Sequence, residues 1–313
     1  MSERRSLLGY AVLAATLATY LIVYTSNLGR FPTAFDYLSL LNNTLPLVFV
    51  AIGQSIVVLT GGIDLSVGGI VSLCVAVTAT AVAGTAPYAV ILGVLALGTA
   101  CGAVNGLIVA KGRIAPILTT LATLSVFSGL ALRVLPVPGG SVPPSVRLVL
   151  TNPNLPTGLI WLALAVVGWL VLRRTRFGMR IYAIGSDETS ARAIGVPVTS
   201  VKVGVYALSG LCSALAAVFY VSTTTAGDAN AGGPFILTSI ASVVVGGVAF
   251  TGGRGSARGA VAGAVAVTLV IDVLFFAGID PLYQSLFQGL FLVVAVLLGT
   301  AVGLVARHRR RAS

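Results

Sequence analysis

Apolar residues dominate the chain in runs of about 20, broken by short polar or glycine-rich stretches. A run of that length spans the hydrocarbon layer of a bilayer as a helix. Ten such runs fit the pattern: 7–25, 38–59, 67–84, 87–110, 115–132, 157–172, 203–222, 235–250, 259–277 and 284–305. The pattern predicts an all-α, polytopic membrane protein forming a single transmembrane domain over residues 1–313. The first run follows "MSERR", is long for a signal peptide, and has no clear small-residue cleavage site after it, so it reads as a retained span.

Two interruptions are long. Residues 133–156, "RVLPVPGGSVPPSVRLVLTNPNLP", cannot be helical throughout, because each proline removes an amide donor and clashes with the preceding turn. Residues 173–202, "RRTRFGMRIYAIGSDETSARAIGVPVTSVK", are the most polar stretch. Within them "SDETSARAIGVP" predicts a short helix over Glu188 to Ile194. Ser186 or Asp187 caps its start, and Gly195 and Pro197 end it. Glu188 and Arg192 are four apart and share a face. Ala191 and Ile194 are expected to form a small apolar patch on another face, suited to docking.

Charge sets the orientation. With the N-terminus in the cytoplasm, 16 of the 19 lysines and arginines fall inside, which predicts an even number of spans and cytoplasmic ends. The net charge of +11 belongs to these flanks and not to a nucleic-acid surface. Only 9% of residues are charged, against about 25% in a soluble domain. Cys74, Cys101 and Cys212 lie in apolar runs as packing residues, and His308 lies in the basic tail, so no metal site or cofactor is expected. Neither lysine follows a glycine, so no G-x-x-x-x-G-K-[ST] phosphate loop exists, and the chain is not expected to be an ATPase or another enzyme.

Candidate functional residues sit where the apolar pattern breaks. "LTGGIDLSVGGI", Leu59 to Ile70, puts Gly61, Gly62, Asp64, Ser66 and Gly68 between two spans. Glycine costs a helix about 1 kcal/mol relative to alanine, so the stretch predicts a bend or break lined by protein. Asp64 would accept bonds from amides freed there. A hinge or pathway residue and a polar turn at a span end both fit it. "FTGGRGSARGAVAG" is a second cluster whose Thr251, Gly252, Gly253 and Gly259 align with Thr60, Gly61, Gly62 and Gly68. Gly98, Gly102 and Gly106, and likewise Gly255, Gly259 and Gly263, have the spacing that brings helix backbones close together. Asn105 lies beside the first ridge. Asp272 is a second intramembrane carboxylate, either a structural partner or a solute contact. Asn42 and Asn43 are further hydrogen-bonding positions within the apolar runs.

Four stretches together resemble the ribose-type ABC sugar permeases: "LTGGIDLSVGGIVSL", "GAVNGLIVAKGRIAPILTTLATLSVFSGLAL", "RTRFGMRIYAIGSDETSARAIGVPVTSVKVGVYALSG" and "GGRGSARGAVAGA". They occur in the family's order, across roughly residues 40–298. "IAPILTTLATLS" departs from the family's more frequent "PF" and "TLGT". The resemblance implies a ten-span subunit of the bacterial inner membrane that imports a sugar or sugar-like solute. It implies a second permease copy, identical or not, a cytoplasmic ATPase and an extracytoplasmic solute-binding protein. Asp187, Glu188, Ala191, Arg192, Ile194 and Gly195 then fall in the loop that docks on the ATPase. Permeases for nucleosides or branched-chain amino acids are more distant relatives. An ion-coupled secondary transporter is the rival class, and it would use Asp64 and Asp272.

Overall fold

Prolines and hydroxyl caps set where the helices begin. The computed structural model describes residues 2–84, 86–152, 154–280, 283, 286, 287, 289, 290 and 293. Among these residues run α1 (Ser2–Leu28), α2 (Ala34–Leu59), α3 (Val67–Ala81), α4 (Pro87–Gly112), α5 (Pro116–Val134) and α6 (Pro144–Leu150). There follow α7 (Thr157–Leu172), α8 (Arg176–Ser186), α9 (Glu188–Ala193), α10 (Val198–Thr224), α11 (Gly233–Val245) and α12 (Ala257–Phe276). Thr33 and Asp36 form a reciprocal capping box at the start of α2. Proline opens α4, α5 and α6, where its missing amide would have had no helical partner. Among the described residues there is no strand, only an isolated bridge between Gly139 and Gly227.

Nine of the ten expected spans coincide with helices, and the tenth, 284–305, lies outside the fully described residues. Among the described residues six helices are long and apolar enough to cross a membrane: α1, α2, α4, α5, α10 and α12. A seventh candidate joins α7 to α8 across a 74° bend. The spans expected over 67–84 and 235–250 are shorter than predicted. α3 has 15 residues and α11 has 13, below the roughly 20 that cross a bilayer. Each adjoins a glycine cluster, and the backbone leaves the helix there. The loop over 133–156 is irregular, as its prolines require, with only the short α6 inside it.

α2 and α10 form the centre. From Thr44 to Leu59 every residue of α2 is buried, the mark of a helix surrounded by others. α10 packs on α2, α3 and α4, and α12 packs on α1, α2 and α11. The Gly98–Gly102–Gly106 ridge of α4 meets α10. A methyl group at Gly98 would lie 2.6 Å from Ala214 Cβ, and one at Gly102 would overlap the Tyr206 carbonyl. Gly106 meets the Val203 backbone in the same way. Gly259 and Gly263 of α12 press against Gly246 and Ser242 of α11. Gly255 does not belong to that ridge. It precedes α12 with φ +122° and packs under Val248, because α12 starts only at Ala257.

This packing predicts a contrast between two glycines of α4. Gly102→Leu should destabilise the folded bundle by about 1–3 kcal/mol, the usual cost of overpacking. Gly93→Ala, with nothing within 4 Å of the added carbon, should be neutral or slightly stabilising. Thermal unfolding of both variants in detergent checks this.

Candidate functional site

The stretch between α2 and α3 leaves the helix inside an apolar bundle, so its backbone groups need other partners. Thr60 N and Gly62 N donate to Val57 O, and Gly61 N donates to Val58 O. Gly61 adopts φ +82°, which turns the chain after α2. Leu65 N donates to Thr120 Oγ1 of α5 (3.1 Å), and Thr120 Oγ1 in turn donates to Ile63 O (3.3 Å). Ser66 N donates to Asp64 Oδ1 (3.0 Å), as does the Ser66 hydroxyl.

Asp64 is 1% exposed. Its second oxygen, Oδ2, accepts from Ser209 Oγ of α10 (2.8 Å). Asn105 Nδ2 of α4 donates to Ser66 Oγ (2.7 Å). One short break is therefore held by polar side chains from α4, α5 and α10. The structure brings Asp64, Ser66 and Asn105, three separate candidates in the sequence, into one hydrogen-bonded cluster. Ser209 and Thr120 were missed. Their signal was a hydroxyl on an otherwise apolar helix face, too common in this chain to stand out. Tyr206 was missed too. Its hydroxyl is buried without a hydrogen-bond partner, against Gly62. Gly68 lies against Gly232 O and Ile236 at the start of α11.

The second glycine cluster meets the first. Gly253 N donates to Leu59 O, the last carbonyl of α2 (2.9 Å). Gly252, with φ +79°, faces Gly61, and a methyl group on it would lie 3.0 Å from Gly61 N and 2.7 Å from Gly185 O. Gly185, near the end of α8, touches both Leu59 O and Gly253 N. Three interruptions of the helical pattern thus converge where α8 turns into α9.

α9 is built as its sequence implied. Asp187 is its cap, accepting from Thr189 N (2.9 Å) and Ser190 Oγ (2.7 Å). The Ser190 hydroxyl and the Ser190 and Thr189 amides hold Asp187 below the usual carboxylate range. Gly195 has φ +83°, and Val196 N closes on Ala191 O (3.0 Å). Glu188 pairs with Arg192 (3.2 Å) and with Lys202 of α10 (2.7 Å). Burial pushes Glu188 up, but the Lys202 and Arg192 cations outweigh it and hold it below its ordinary value. The expected apolar patch does not form. Ala191 is 3% exposed and packs in the core, while Ile194 is 78% exposed, because α9 ends at Ala193 and Ile194 is its cap, outside the helical register that would put the two on one face. α8, unforeseen in the loop, was signalled by Thr175 as a cap and by Phe177, Ile181 and Ile184 at helical spacing.

With this geometry established, the comparisons identify the family. Residues 37–296 match the permease components described as "branched-chain amino acid transport system / permease component". The chain belongs to this permease family. The permease is 37% identical to the ribose import permease protein RbsC of Bacillus subtilis, over 80% of each chain. It is 32% identical to RbsC of Escherichia coli K12, over 95% of its own length and 94% of the relative's. The fructose import permease protein FrcC of Rhizobium meliloti is 32% identical, over 89% of this chain and 81% of the relative. No solved structure matches it significantly.

Other candidates in the permease lie apart. Asp272 sits on α12 beside Tyr20 of α1, partly exposed and without a hydrogen bond among the described residues. Asn42 lies 17 residues before the end of α2, about 25 Å up the helix from the break. Its Oδ1 has no partner, and Asn43 beside it is exposed. Among the described residues no cluster of three or more His, Cys, Asp or Glu side chains could hold a metal ion.

Asp64→Ala would leave Ser66 N and Ser209 Oγ without their acceptor. It should cost about 1–3 kcal/mol and sharply reduce transport in protein that still inserts. Asp64→Asn, which keeps one acceptor oxygen, should lose less. Uptake by vesicles matched for inserted permease distinguishes the two.

Proposed function

We propose that this permease is the membrane-spanning subunit of an ATP-driven importer of a sugar or sugar-like solute in the bacterial inner membrane. The observation that carries the reading is likeness to a ribose import permease across 95% of the chain. The family description mentions branched-chain amino acids, but these relatives are named for ribose and fructose, which favours a hydroxyl-rich solute. Few charges on the spans suit such a neutral cargo.

Ten spans with both ends cytoplasmic, in one domain over 1–313, place α9 on the cytoplasmic side. There it serves as the docking element for an ATPase, with Ile194 as its exposed apolar contact. Asp187, Glu188, Arg192 and Gly195 keep it rigid, and buried Ala191 anchors it to the bundle. A second permease copy, identical or not, completes the path, and a solute-binding protein delivers the cargo from outside. Asp64 pins a hinge and does not touch solute in this conformation, since hydroxyl and amide donors surround its carboxylate. That weakens the ion-coupled alternative, in which Asp64 would offer its oxygens to a cation.

The permease reconstituted with its ATPase and binding protein should take up ribose or fructose only when ATP is supplied. Uptake driven by an ion gradient without the ATPase would overturn the reading. Ile194→Arg and Gly195→Pro should each reduce solute-stimulated ATP hydrolysis at least tenfold while insertion is unchanged. The first puts a charge on the docking face, and the second forbids the positive φ.

A further inference from the structure

A groove of about 350 Å³ runs along α7 where it meets α2 and α10. Ile52 and Ile56 of α2, Ala165 and Gly168 of α7, and Leu208 and Cys212 of α10 form its walls. Trp161 lies at one end and Leu172 at the other. Leu164 and Gly168 are exposed, so the groove opens sideways from the bundle. The next residues after Leu172 are Arg173 and Arg174, both exposed, and neither guanidinium makes a hydrogen bond or ion pair among the described residues.

The dimensions select the occupant. Trp161 to Leu172 spans eleven residue steps, about 16 Å along the helix. That is close to one leaflet, half of a hydrocarbon core of about 30 Å. A groove of this length, lined almost wholly by apolar side chains, matches one acyl chain. The cationic end lies where a lipid headgroup would lie, and guanidinium groups bind phosphate through charge-assisted hydrogen bonds. Basic pockets beside membrane helices recognise anionic headgroups in this way.

The geometry points to a binding site for an anionic phospholipid, its acyl chain in the α2–α7–α10 groove and its phosphate on Arg173 and Arg174. The lipid would brace α7 where it bends into α8, the helix whose Gly185 meets both glycine clusters.

The chain supplies its own probe, because its only two tryptophans, Trp161 and Trp169, both line this groove. The full chain is reconstituted in vesicles containing equal fractions of phosphatidylglycerol and phosphatidylcholine, one of them with brominated acyl chains. Brominated phosphatidylglycerol should quench tryptophan fluorescence more strongly than brominated phosphatidylcholine. Arg173→Gln combined with Arg174→Gln should cut that preference at least about fivefold, the worth of one lost headgroup contact. Gly168→Leu, whose added carbon meets no atom within 4 Å, should fill the groove and reduce quenching by both lipids without lowering the unfolding temperature. Equal quenching by the two lipids, or a preference that survives the double Gln variant, would overturn the proposal. So would the absence of quenching together with cross-linking between copies through Leu164→Cys, which would place a second permease over the groove.

Discussion

A backbone that leaves its helix inside an apolar bundle must find other hydrogen-bond partners, and this permease is organised around that requirement. Between Leu59 and Ser66 the amides and carbonyls cannot follow the helical ladder. Asp64, Thr120 and Gly253 supply what is missing, and Ser209 and Asn105 complete the set around Asp64. An unpaired buried group costs about 1–3 kcal/mol, so a conformation satisfying all of these is strongly preferred over nearby ones. The break is accordingly a defined turn and not a loose linker. It shortens α3, and the turn before α12 shortens α11 in the same way.

The same contacts join distant parts of the chain. Leu59 O ends α2, Gly253 N belongs to the turn before α12, and Gly185 lies one turn before α9. These backbones touch because neither Gly185 nor Gly253 carries a side chain. A displacement of α9 would press first on Gly185 and through it on both turns. α9 is suited to receive such a force: it is capped at Asp187, closed at Gly195 and tied to α10 through Glu188 and Lys202. On the proposed function this is the route from an ATPase to the membrane helices, and Asp64 lies at its inner end.

Much of this was legible in the sequence, for definite reasons. Helix positions follow apolar run length, and the caps of α9 follow from Asp187 and Gly195, which are local signals. Asp64 stood out because a carboxylate is costly in apolar surroundings. Ser209 and Thr120 did not stand out, because their importance comes from facing a break 145 and 57 residues away. The pairing of α4 with α10 was hidden in the same way: Gly98, Gly102 and Gly106 announce a close approach without naming the helix approached. The two glycine clusters align in sequence without showing that they meet, and in the fold they are neighbours in contact. Ala191 was misplaced because a six-residue helix gives no periodicity from which to tell the buried face from the exposed one.

The central claim is that α9 acts on the helix breaks through the contact at Gly185. Gly185→Ala tests it most directly, because a methyl group there would push against Leu59 O and Gly253 N and leave the exposed face of α9 untouched. The quantity to measure is solute transported per ATP hydrolysed in the reconstituted complex, with ATPase binding measured alongside. The account predicts unchanged ATPase binding and a ratio reduced at least tenfold. An unchanged ratio in a stably assembled Gly185→Ala complex would contradict it.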